Sequence, residues 1–76
     1  MEELVEYLAR SLVDKPDEVR VVRGERDGAT VLELHVAQED LGKVIGRQGR
    51  IARALRTIVR ASGARSNERA LLEIVG

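Results

Sequence analysis

Two glycines separated by two polar residues interrupt the apolar pattern in the middle of the chain. The tetrad reads Gly46-Arg47-Gln48-Gly49, and apolar residues lie close to it on both sides. Glycine adopts left-handed backbone conformations without steric cost, and it lets another backbone approach where a Cβ atom would stand in the way. The tetrad therefore predicts a tight loop between two helices, at a point that another molecule can approach closely.

The apolar spacing around the tetrad predicts one helix before it and one after it. The first covers residues 41–45. Asp40 is suited to cap its start, and Gly46 is suited to end it as a residue that tolerates positive φ. The second covers residues 51–61, and Gly63 ends it. Apolar residues span an arc of about 180° on this longer helix, and its opposite side is lined by Arg53, Arg56 and Arg60.

One more helix and three strands complete the predicted elements. Residues 3–13 have helical apolar spacing. Residues 19–22 and 30–36 read as an antiparallel hairpin across a turn at 24–28, and residues 69–75 form the last strand. The side chains predicted to share one face of the second strand are Thr30, Leu32, Leu34 and Val36.

The order of these elements predicts the fold class. A strand, two helices and another strand form a crossover unit, so the last strand is expected to lie parallel to the second strand through a right-handed connection. We therefore expect an α+β fold of order α-β-β-α-α-β, a three-stranded mixed sheet with the helices on one face. Residues 1–76 form a single domain in this interpretation, with Gly76 fraying at the end.

The net charge of zero hides a strong division of charge along the chain. Residues 1–40 carry a net charge of −6 and residues 41–76 carry +6. No acidic residue occurs between positions 41 and 67, and six basic residues lie between 41 and 60. Positive charge concentrated on one face attracts polyanions whatever the total charge. A nucleic-acid strand is therefore the predicted partner.

Several other classes of protein are not expected. The chain has no cysteine, which leaves neither a disulfide nor a thiolate metal site. Its start is acidic and no apolar run approaches the ~18 residues of a membrane span, so we expect a cytoplasmic protein with no membrane partner. His35 is the only histidine and stands alone as a candidate base. We therefore expect no enzyme, no cofactor, no metal and no small-molecule substrate.

The tetrad has the chemistry of a phosphate site. Amides at the start of the following helix carry partial positive charge and favour a phosphodiester that lies across the loop. The aliphatic Val44 and Ile45, with Leu34 or Val36, are expected to form a shelf for unstacked bases. The predicted nucleic-acid-binding residues are Lys43, Val44, Ile45, Gly46, Arg47, Gln48, Gly49 and Arg50.

The run from Val44 to Ile51, Val-Ile-Gly-Arg-Gln-Gly-Arg-Ile, resembles the core motif of the KH domain. The loop of that domain clamps the backbone of about four single-stranded nucleotides. The element order resembles the bacterial type II arrangement, and the chain as a whole is similar to the small stand-alone bacterial KH proteins of the KhpA type. The resemblance implies that Gly46–Gly49 is the backbone clamp and that Val44, Ile45 and Ile51 are its flanking apolar positions.

The same resemblance implies a physiology that the residues alone do not carry. Proteins of this type are cytoplasmic RNA-binding proteins, RNA chaperones or post-transcriptional regulators, and they form homodimers. They pair with a larger Jag-like protein that has its own KH domain, and they take part in cell elongation and cell-wall homeostasis.

The residues leave two alternatives open. The first is a protein-interaction or dimerisation module with a degenerate KH surface, for which Ile58 and Val59 on the longer helix are the candidate dimer surface. The second is binding of single-stranded DNA, because a backbone clamp discriminates poorly without a contact to the 2′-hydroxyl. The arginines of the longer helix either contribute to binding or are simply solvated.

Overall fold

The computed structural model describes residues 1–75, apart from the side chain of Arg47. Gly76, predicted to fray, lies outside the described residues. Within them, no helix is both long and apolar enough to cross a membrane. The elements are α1 (Glu2–Leu12), β1 (Arg20–Arg26), β2 (Ala29–His35), α2 (Gln38–Ile45), α3 (Arg50–Arg65) and β3 (Ala70–Val75), with 3₁₀ turns at Pro16–Glu18 and Arg47–Gly49. The predicted order α-β-β-α-α-β is confirmed.

The sheet has the predicted mixed topology, with strand order β1-β2-β3. Strand β1 runs antiparallel to β2, and β2 runs parallel to β3 with Thr30 opposite Ala70. The predicted turn at 24–28 was too long. Asp27 and Gly28 both have positive φ, and this allows a two-residue hairpin turn whose twist matches the strands. Strand β1 therefore continues to Arg26.

The helices cover one face of the sheet, and the core lies between the two layers. Leu32 and Leu34 of β2 are completely buried there, and each such side chain contributes about 1.5 to 3 kcal/mol relative to exposure. The other buried members of this cluster are Val5, Ala9, Val19, Val36, Val44, Leu55, Val59, Ala70 and Leu72. The end of α2 is thereby fixed to the core through Val44, directly before the glycine tetrad.

The other face of the sheet is open to solvent at Val22 and Leu71. Glu33 of β2 lies directly opposite Glu73 of β3 on this face. Glu73 forms an ion pair with Arg26 of β1 there. This face therefore presents a mixed surface of apolar side chains and paired charges.

Helix α2 begins earlier than predicted, at Gln38, with Ala37 at the N-cap position. The assignment of Asp40 as N-cap was wrong. Its side chain is only 1% exposed, and its two carboxylate oxygens accept the backbone N–H groups of Asp14 (3.1 Å) and Lys15 (2.9 Å). Asp40 fastens the segment after α1 to α2.

Helix α3 continues past Gly63, so the prediction that this glycine ends the helix was wrong. A Cβ atom at Gly63 would lie 2.7 Å from the Glu68 carbonyl oxygen and 2.8 Å from the Cβ of Ala70. Glycine is required at this position because α3 packs closely on the turn into β3. The last turn closes instead at Arg65.

Candidate nucleic-acid interface

Glycine occurs at the two ends of the tetrad for different structural reasons. Gly46 ends α2 as predicted, but its φ is −76°, so its tolerance of positive φ is not the reason for glycine here. Its N–H donates to the carbonyl oxygen of Gly42 at 2.7 Å, and a Cβ atom at Gly46 would lie 2.3 Å from that same oxygen. Glycine is needed at position 46 because α2 ends with no room for a side chain.

The positive φ angles of the loop occur two and three residues later. Gln48 has a φ of 63° and Gly49 one of 68°, and the N–H of Gly49 donates to Gly46 at 2.8 Å. A Cβ atom at Gly49 would meet nothing within 4 Å. The outer side of Gly49 is therefore open space, through which another backbone can approach.

The start of α3 faces this open space and is not capped by a side chain. Gly49 is its N-cap residue, and no acidic residue lies in its first turn. The first N–H groups of a helix have no partner within the helix, and the aligned peptide dipoles concentrate positive charge there. An uncapped start of a 16-residue helix beside an open loop is suited to binding an anion.

Lys43 and Ile45 project from opposite sides of α2, since two residues turn a helix by about 200°. Ile45 is 51% exposed, as a shelf for bases requires. Lys43 instead faces the segment after α1, where its Nζ lies 3.2 Å from Asp14 Oδ1. The two predicted contact residues therefore lie on different sides of the loop.

Three apolar residues of the predicted shelf and motif are buried. Leu34 and Val36 lie in the core, so the prediction that either joins Ile45 in an exposed shelf was wrong. Val44 is also buried, so its predicted place in the shelf was wrong too, and Ile45 is the one predicted member that is exposed. The alternating pattern of β2 correctly identified a buried face, and that face is fully occupied by the helices. The side chain of Arg47 lies outside the described part.

The arginines of α3 form an exposed stripe that begins at the loop. Among the residues that the structure describes, none of these arginines forms an ion pair. Most basic side chains of the first half do pair with carboxylates, such as Arg10 with Glu6 and Arg26 with Glu73. From Arg50 to Arg60 the stripe extends about 15 Å. Its members are Arg50, Arg53, Arg56 and Arg60.

The stripe runs beside the edge of the sheet. Arg56 and Arg60 line a cavity of about 130 Å³ together with residues 70–72 of β3. Because β3 is an edge strand, its outer backbone groups have no strand partner. One side of the molecule thus carries groups that can bind phosphates, in the loop and the basic stripe, and groups that can form hydrogen bonds with bases, at this strand edge.

The sequence did not predict that Asp14 lines a cavity beside the loop. An open cavity of about 590 Å³ is lined by Asp14, Gly42, Lys43, Gly46, Arg50 and Ile51. Asp14 reaches this place because Asp40 holds its backbone. The two aspartates are separated by 26 residues, so no local pattern could have indicated their contact. The one sequence signal for the burial of Asp40 is that this acidic residue shares the apolar face of α2.

The candidate dimer surface is only partly accessible. Val59 is 0% exposed and packs in the core, so its assignment to a dimer surface was wrong. Ile58 is half-buried. It lies on the side of α3 opposite to Arg56 and Arg60, since two residues turn a helix by about 200°. The broad apolar arc of α3 is mostly explained by contacts within the chain.

Comparison with known proteins agrees with this architecture. The family described as "KhpA/KhpB, KH domain" matches residues 2–74. The relatives named RNA-binding protein KhpA include one from Treponema pallidum, 55% identical over 74 residues that cover 97% of this chain and 92% of the relative. A second, from Clostridium acetobutylicum, is 51% identical over 75 residues, with 99% and 100% covered.

A third relative of the same name, from Bacillus subtilis, is 46% identical over 74 residues, which cover 97% of this chain and 91% of the relative. No solved structure matches the chain. The match extends from α1 to β3 and includes the loop between α2 and α3. With the type II order of helices and strands and an open glycine loop at the start of α3, the chain belongs to the KhpA/KhpB family of KH domains.

Proposed function

We propose that this protein binds single-stranded RNA and holds the RNA backbone at the loop from Gly46 to Gly49. The observation that carries this proposal is the uncapped start of α3, which faces an open loop and a stripe of arginines without ion-pair partners among the described residues. The name of the relatives, RNA-binding protein KhpA, supports RNA as the ligand. That name describes binding, so we propose a binding function rather than catalysis.

In this proposal a phosphate accepts hydrogen bonds from the first amides of α3, and Arg50 is the nearest described cation on that helix. Bases then lie against Ile45 and towards the edge of β3. Tyr7 is the only aromatic residue and lies on α1. Since stacking on an aromatic side chain contributes about 1 to 3 kcal/mol per base, its absence from the loop favours weak binding with little base specificity.

The salt dependence of binding tests this function. A clamp on four nucleotides contacts about three phosphates, so log K should fall with log[salt] with a slope of roughly −2. Fluorescence anisotropy with a labelled eight-nucleotide RNA at several NaCl concentrations measures this slope. Absence of binding, or equal affinity for the same RNA annealed to its complement, would contradict a single-strand clamp. A matched DNA strand decides between RNA and single-stranded DNA.

We further propose that the chain acts in the cytoplasm as one KH domain, residues 1–76, with a role as an RNA chaperone or post-transcriptional regulator. The family name pairs KhpA with KhpB, which supports a larger Jag-like KH protein as partner. By the resemblance of the chain to the KhpA type, this pair would serve cell elongation and cell-wall homeostasis. Co-purification of the two chains from one cell extract tests the pairing.

A homodimer is the second candidate property, favoured by an apolar surface on α1. Tyr7 is 68% exposed, and Leu4 and Leu12 are also exposed. Helix α1 contacts α3, on which Ile58 is half-buried. Packing of two copies through these residues would remove the apolar surface from water. Sedimentation at high micromolar concentration should give twice the chain mass of 8.4 kDa, and a monomer would contradict the dimer.

A further inference from the structure

We propose that Asp14 competes with phosphate for Lys43, so that the cavity beside the binding loop accepts a phosphodiester of the bound strand only when this ion pair opens. The inference rests on the proposed function, because it describes how one wall of the same site is controlled. Asp14 would then lower the affinity for nucleic acid and reduce its salt dependence.

The contacts in the cavity define the competition. Lys43 Nζ lies 3.2 Å from Asp14 Oδ1, and both side chains line the cavity of about 590 Å³. Gly46, the first residue of the clamp, lines the same cavity, as does Arg50. A strand held at the loop therefore brings its neighbouring phosphate to the place where the Asp14 carboxylate now lies.

The structure keeps Asp14 at this position. The buried Asp40 accepts the backbone N–H groups of both Asp14 and Lys15. Lys15 also forms an ion pair with Glu39 of α2, and this hydrogen bond raises the pKa of Lys15 and lowers that of Glu39. Because its backbone is attached to α2, Asp14 stays beside Lys43, and the ion pair opens by rotation of the two side chains.

The pair itself is exposed and therefore easily exchanged. The side chain of Asp14 is 79% exposed and that of Lys43 is 47% exposed. Exposed ion pairs contribute little because water screens them. In the described part of the basic stretch, Lys43 has a carboxylate partner while the arginines of α3 have none. A phosphate that binds Lys43 must displace the Asp14 carboxylate. A phosphate that binds the arginines of α3 displaces no carboxylate.

The test compares Asp14→Asn with Asp17→Asn, which removes the same charge three residues away in the exposed 3₁₀ turn. We expect Asp14→Asn to tighten binding of the eight-nucleotide RNA by about two- to five-fold at low salt. The slope of log K against log[salt] should steepen by about 0.7, the value for one more phosphate on a single strand. Asp17→Asn should change both quantities much less.

Lys43→Ala supplies the second arm of the experiment. In that background Asp14→Asn should give no tightening, because the cation for which the two anions compete is gone. An unchanged affinity in Asp14→Asn, an equal gain in Asp17→Asn, or a gain that persists without Lys43 would each overturn the inference. Failure of the parent protein to bind RNA in the same titration would instead overturn the proposed function, and this inference with it.

Discussion

Replacing both Arg47 and Gln48 with aspartate should raise the dissociation constant for single-stranded RNA at least about 100-fold. Like charges placed against each other across an interface cost several kcal/mol, and each 1.4 kcal/mol is a factor of ten. The fold should survive, because Gln48 is exposed and aspartate tolerates its positive φ of 63°. Fluorescence anisotropy measures the affinity, and thermal melting followed by circular dichroism measures the fold.

The matched control is Arg65→Asp combined with Asn67→Asp. Both residues are exposed, and the pair changes the net charge by the same amount at the opposite end of α3. Asn67 also has a positive φ of 55°, which aspartate tolerates. The control should lose only the small part of the affinity that comes from long-range charge. Equal losses in the two variants would show that total charge, rather than the loop, determines binding.

Replacing Asp40 with alanine should lower the free energy of unfolding by about 3 kcal/mol or more. The substitution removes the acceptor of two backbone N–H groups, and each hydrogen bond to a charged group contributes about 1.5 to 3 kcal/mol. For a domain of this size each kcal/mol corresponds to roughly 4 to 8 °C, so Tm should fall by at least about 12 °C. Calorimetry or urea denaturation measures the change.

Two variants separate this effect from the loss of a negative charge. Asp40→Asn retains one oxygen acceptor and should lose less stability than the alanine variant. Asp17→Ala removes an exposed carboxylate nearby and should change Tm by little. If Asp40→Ala unfolds at the same temperature as Asp17→Ala, the carboxylate does not fasten the segment after α1 to α2.

The sequence predicted the elements whose signals are local. The alternation in Leu32 and Leu34 identified the buried face of β2, and the helical spacing on both sides of the tetrad identified α2 and α3. A strand, two helices and a strand then left one common topology, since crossover connections have a fixed hand. The loop was identified for the same reason, because its glycines and the basic residues around it are adjacent in the chain.

Several of the errors occur where distant residues meet. Gly63 looked like a helix end, but it is required by the contact of α3 with Ala70. Asp40 looked like a cap, but its partners lie 25 and 26 residues earlier. Val59 and Ile58 are neighbours on one apolar arc, and only the packing against the sheet determines that Val59 is buried. No local pattern contains these pairings.

The most direct test of the proposed binding loop is to map where a single-stranded RNA contacts the protein in solution. Amide chemical shifts of ¹⁵N-labelled protein should be followed by NMR while the eight-nucleotide RNA is added. The largest shifts should occur at the amides from Gly46 to Ala52, in the loop and the first turn of α3. Largest shifts on the open sheet face, at Val22, Val31 and Leu71, or no shifts at saturating RNA, would contradict binding at the loop.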